Sequence, residues 1–218
     1  MKVRLWGTRG SLAAPGAETE RFGGNTSCVE VRGRDGTLLV LDAGTGIRRL
    51  GAALGGNAPR RVHVLLTHLH PDHTGLAERV RAVSGAWIGA HPDSAAAAPV
   101  DQEMRRAGMP DAFVAQVTEA VTGRLPEAAA PRADRRLADG DEITIGGRTL
   151  RVLLTPGHAP GHLVFYEETS GLAFAGDLAL PRTFSHVGAG PASEDDPVAQ
   201  VPRGTRGSPE MRLDLGIK

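Results

Sequence analysis

The chain has 218 residues, 40% of them hydrophobic, enough for one compact domain with a proper core, or for a domain plus a small appendage. Its 25 basic residues balance its 25 acidic ones, which removes any bulk attraction to nucleic acid or to an anionic membrane. The single cysteine, Cys28, excludes an internal disulfide and a cysteine-paired zinc site, and reads as a small buried apolar residue.

The first segment, "MKVRLWGTRGS", lacks the apolar stretch of a signal peptide, and no run approaches transmembrane length. A cytoplasmic protein is therefore expected. "KVRLW" reads as a strand. "SCVEVRG" and "TLLVLDAG" flank the polar turn "RGRDG" and read as a hairpin. "GTGIRRLGAAL" then carries Ile47, Leu50 and Leu54 at helical spacing. The apolar run "RVHVLLT" predicts a strand buried on both faces. A helix follows Pro71, with Leu76, Val80 and Val83 expected to face the core. "AWIGAHP" is a further short strand.

From about residue 93 to 131 the pattern becomes a helical insertion, interrupted at Gly108-Met109-Pro110. Its apolar residues, among them Met104, Met109 and Phe113, suit either a roof over a site or ordinary packing. Strands return in "EITIGG", "RTLRVLLTPGH", "HLVFYEE" and "GLAFAGD", with Gly146-Gly147 and Thr169-Ser170-Gly171 as turns. Strands interleaved with helices indicate an α/β layered domain over residues 1–184. Residues 185–218 are rich in Pro, Gly, Ser and charge and read as an irregular tail.

The densest chemistry is in "LLTHLHPDHTGL", residues 65–76. His68 and His70 are two apart at a strand end, so in extended backbone they point to one side. Pro71 turns the chain, and Asp72 and His73 follow where they can aim back at the same space. Imidazole and carboxylate are zinc ligands at about 2.0–2.2 Å, and a pair of metals needs ligands at this density. "LLTPGHAPGH" adds His158 after a strand, and "LAFAGDLAL" adds Asp177, each at the edge where layered α/β proteins place ligands. His162 is four residues from His158 and reads as a support for the loop. His63, inside an apolar strand, reads as a core or interface residue, and His91 as a strand end near the site.

His68-Leu-His70-Pro-Asp72-His73 with Gly75, then "TPGHAPGH", then "GD", resemble the metallo-β-lactamase superfamily of metal-dependent hydrolases. The resemblance implies a four-layer αββα sandwich with two metals at one edge, expected as Zn2+, with iron or manganese as alternatives for these N/O ligands. By that resemblance His68, His70 and His158 hold a first metal, Asp72 and His73 a second, and Asp177 bridges them. A hydroxide between the metals would be the nucleophile, its pKa lowered to about 7 by coordination. Asp72 would orient it or shuttle its proton. An aspartate at position 42 would hold the backbone of the metal loop.

The family usually adds a histidine in a "PGHG"-like turn near the C-terminus, which this sequence lacks. His186, nine residues after Asp177, comes too soon to take that place with the usual elements between, and reads as a surface or pocket-wall residue. The C-terminus is thus atypical and reads as truncated or rearranged. Residues 1–57 resemble phosphodiesterase-type and RNase Z-like members, and residues 61–200 resemble glyoxalase II-like members acting on acyl esters or thioesters. The expected function is hydrolysis of an ester or thioester of a small molecule. The alternatives are a metal-dependent phosphodiesterase and a metal-binding, catalytically impaired protein. No membrane or nucleic-acid partner is expected, and a homo-oligomer stays open.

Overall fold

The computed structural model describes residues 1–178 apart from 11, 12, 15, 22, 58, 60, 93–100, 102, 103, 106, 107 and 125–130. The expected tail at 185–218, with His186, and parts of the expected insertion lie outside the described residues.

Two sheets form the centre. The first has the order β1 (Lys2–Gly7), β2 (Cys28–Arg32), β3 (Leu38–Leu41), β4 (Val62–Leu65), β5 (Trp87–Ala90) and β6 (Arg135–Arg136). Its first three strands are antiparallel, and β3 through β6 run parallel. The second is an antiparallel meander of β7 (Glu142–Ile145), β8 (Arg148–Leu154), β9 (Leu163–Glu167) and β10 (Leu172–Phe174). The two-residue β6 escaped the sequence reading because Arg135-Arg136 has no apolar signature.

Alternation along each strand sorts the core into layers. Val31, Leu39, Leu41, Leu65, Leu150, Val152, Leu163 and Phe165 pack between the sheets. Val40, Val62, Val64 and Ile88 face the other way, toward helix α1 (Ile47–Leu54) and helix α3 (Ala77–Ser84). Burying a side chain such as Phe165 fully is worth about 1.5–3 kcal/mol. Leu153, Val164 and Leu178 form a third cluster on the outer face of the second sheet, where the turn Gly176–Leu178 settles.

Helix α1 seats Leu50 in the core with Ile47 and Leu54 beside it, as the spacing predicts. Val83 does not follow the prediction and is 79% exposed. Leu76 caps the helix from outside, the buried stripe runs through Ala77 and Val80, and Val83 falls outside that stripe. Helix α4 (Asp111–Arg124) starts just after the expected break, where Gly108 has φ +74°. It buries Val114 and leaves Phe113 substantially exposed, as is Met109 just before it. Cys28 is buried, and burial pushes its thiol well above the ordinary range, as befits an inert core residue.

Candidate metal centre

The carboxyl ends of β3 and β4, with the loops after β8 and β10, converge on one edge of the sandwich. Strand β4 is clamped between β3 and β5, so its end is a rigid launch point for residues 66–70. His70 is still extended (φ −67°, ψ 144°), and Pro71 opens the short helix α2 (Pro71–Thr74). The Thr74 hydroxyl and the His73 and Thr74 amides all donate to the His70 carbonyl, closing that turn.

His68, His70 and His158 meet first. His68 Nε2 and His158 Nε2 lie 3.0 and 3.1 Å from His70 Nδ1. Three nitrogens sharing one ion at 2.0–2.1 Å in tetrahedral array would stand roughly 3.3 Å apart, so this spacing suits a common metal. His68, His73 and Asp177 form a second compact group of donor atoms. There His73 Nε2 lies 3.3 Å from Asp177 Oδ1, while Asp177 Oδ2 faces His158 Nε2 at 3.6 Å. Asp177 thus presents one oxygen to each group. Asp72 Oδ2 comes within 3.6 Å of His73 Nε2, although Asp72 belongs to neither compact group.

Asp42 organises this edge from behind. It is the only non-glycine with positive φ among the described residues, at +61°. Its carboxylate accepts from the Thr67 amide at 2.9 Å, Ser27 Oγ at 3.0 Å, Thr67 Oγ1 at 3.0 Å and His73 Nδ1 at 2.7 Å. Two tautomers follow. A carboxylate only accepts, so the His73 proton in that bond is on Nδ1, and Nε2 keeps its lone pair for the centre. The Thr67 hydroxyl spends its proton on Asp42, so at 3.0 Å it accepts from His68 Nδ1, and His68 Nε2 is again the donor atom left over. His73 Nε2 is buried without a hydrogen bond of good geometry, facing two carboxylates. Such a nitrogen fits a ligand to a cation.

The electrostatics agree. Burial disfavours the charged form of His73, but Asp42, with Asp177 and Asp72 behind it, outweighs burial and raises its pKa well above the usual histidine value. His68 is driven well below that value by burial and by the surrounding histidines. Burial alone would raise Asp177, yet His73, 3.3 Å away, and the neighbouring histidines hold the carboxyl down at about 2. A metal at His73 Nε2 would therefore compete with a proton, and metal binding is expected to weaken as the pH falls.

Ser27, Thr67 and Thr155 were missed as site residues by the sequence reading. The signal available was a hydroxyl residue closing an apolar strand in both "LLTH" and "LLTP". Thr26, in the turn before β2, clamps the loop after β3. The Thr26 hydroxyl accepts from the Thr45 amide, and the Thr45 hydroxyl accepts from the Thr26 amide. At Gly44 a Cβ would run into the Asp72 carbonyl and the Thr26 hydroxyl, so only glycine lets this loop lie against the histidine loop. His63 is half-buried and faces Trp87 across β4 and β5, their rings 4.9 Å apart and tilted by 40°, away from the donors. His91 is buried just beyond the end of β5.

Residues 21–207 match the metallo-beta-lactamase superfamily, and the chain belongs to that family. It is 32% identical over 153 residues to the hydroxyacylglutathione hydrolase of Cereibacter sphaeroides, covering 66% of this chain and 47% of that protein. The chain thus spans about half the length of the curated relatives it matches. Among solved structures it is similar to a metallo-beta-lactamase family protein from Thermus thermophilus, with TM-score 0.63 and 25% identity over 91% of this chain and 66% of the other. A beta-lactamase domain protein from Burkholderia ambifaria gives TM-score 0.62 and 26% identity, covering 91% of this chain and 60% of that one. The expected sandwich architecture is therefore that of the family. No helix among the described residues is long and apolar enough to cross a membrane.

Proposed function

We propose that the chain is a metal-dependent hydrolase of a small-molecule ester or thioester, acting in the cytoplasm. The observation that carries this reading is Asp177 standing between two donor groups, one of its oxygens toward His158 and the other toward His73. His68, His70 and His158 would hold one metal, and His73, Asp72 and Asp177 the other, with Asp177 shared between them. Zinc fits the nitrogen and oxygen donors, and iron or manganese would fit them as well. When bound, such metals supply Lewis-acid polarisation of the scissile carbonyl and a water acidic enough to react at neutral pH.

The chain's own residues do the rest. Asp42 and Thr67 fix the tautomers of His73 and His68 and so aim Nε2 of each at the centre. Asp72, whose Oδ2 lies 3.6 Å from His73 Nε2, would orient the attacking water or take its proton. The likeness to a hydroxyacylglutathione hydrolase favours a thioester substrate over other acyl compounds.

The test sets an acyl-glutathione thioester beside a bis-aryl phosphodiester, each with zinc-, iron- and manganese-loaded protein. Turnover of the thioester is expected. Turnover of the phosphodiester alone would move the assignment to a phosphodiesterase, the reading that the N-terminal residues 1–57 favour. Metal binding with neither turnover would indicate an impaired member.

A further inference from the structure

His162 lies outside both donor groups and is fully buried four residues beyond His158. Its ring spans two partners. Nε2 accepts from the Asp177 amide at 3.3 Å, and Nδ1 lies 2.9 Å from Thr155 Oγ1. Since Nε2 is an acceptor, the proton of the neutral ring is on Nδ1 and is given to Thr155 Oγ1. The Thr155 hydroxyl in turn points its own proton at the His162 carbonyl, 3.4 Å away. The Thr155 amide donates to the same carbonyl at 2.8 Å. Every polar atom of the ring is used, and the ring has one orientation.

That orientation matters at Gly176. A Cβ there would stand 2.8 Å from His162 Nε2 and 2.9 Å from the Thr67 side chain, and the residue has φ +51°. The turn that carries Asp177 is thus pressed between the imidazole and the threonine that sets the tautomer of His68. The next residue, Leu163, donates its amide to the Thr67 carbonyl at 2.7 Å, locking the His158–His162 loop to the histidine loop of β4. Three segments that each bring donors to the centre meet at this junction.

The geometry points to His162 as a positioning residue for Asp177: through the Asp177 amide it sets where the shared carboxylate stands, and so governs occupancy of the metal position made with His73. The position made by His68, His70 and His158 does not depend on it in the same way. This rests on the dinuclear reading above.

The test is metal titration of the full chain with zinc, read as stoichiometry and as stepwise affinity, with circular dichroism to follow folding. Wild-type protein is expected to take up two ions. His162→Leu should keep the tighter ion and weaken the second by about 10- to 100-fold, the scale typical of groups that orient ligands. His162→Gln, whose side-chain carbonyl can still accept from the Asp177 amide, should recover most of that loss. Gly176→Ala should lose the second ion as His162→Leu does. Equal second-ion affinity in wild type and a folded His162→Leu would overturn the inference and leave the dinuclear reading standing. So would equal losses in His162→Leu and His162→Gln. Wild-type protein that takes up fewer than two ions would overturn both.

Discussion

Replacing His68 and His70 together with alanine is expected to abolish metal retention and to lower hydrolysis by about 10³-fold or more. That figure corresponds to losing the several kcal/mol of transition-state stabilisation that metal ions supply. His68 belongs to both donor groups and His70 Nδ1 is the meeting point of the first, so the double change removes the first position and opens the second. The check is turnover beside elemental analysis of the purified variant. Wild-type activity in a folded double variant would end the proposal of metal-dependent hydrolysis here.

Asp42→Ala should produce the largest loss of stability. The substitution strands four donor groups, leaves the raised-pKa His73 buried without its nearest counter-charge, and puts an alanine at φ +61°. Breaking a buried, hydrogen-bonded charge pair costs about 3–5 kcal/mol, and the backbone adds about 1 kcal/mol more. Asp42→Asn separates the two effects. Asparagine tolerates this backbone, so its stability should fall less. The lost charge should still weaken metal binding by about 10- to 100-fold. Urea unfolding and zinc titration of both variants decide the matter, and an Asp42→Ala protein as stable as wild type would contradict this account of the loop.

Five of the six proposed ligands, His68, His70, His73, His158 and Asp177, come together in the fold, and that convergence was legible in the sequence because the segments that carry them follow strands. The end of an apolar run fixes both the place and the direction of what comes next, as His68 and His70 show. The hairpin about "RGRDG" and the meander from β7 to β10 were legible for the same reason, their turns being marked by glycine. What the sequence could not reveal lay in contacts between distant segments. Ser27 reaches Asp42 from another strand, and Thr67 joins Asp42 to His68 and to the loop before β9. Neither has a local signature beyond a hydroxyl. Val83 misled because spacing from Val80 alone does not show which side of the helix meets the core: the stripe is centred on Ala77 and Val80, and Val83 lies at its far margin. His162 was read as a support for its loop. Its bond to the Asp177 amide, across two strands, needed the fold to be seen.

The most direct test of the central claim is the number of metal ions per chain, measured by elemental mass spectrometry on purified protein of verified intact mass. The account predicts about two, shared between the His68, His70 and His158 position and the position made with His73 and Asp177. Protein that holds fewer than two ions after exposure to zinc, iron and manganese in turn would contradict it.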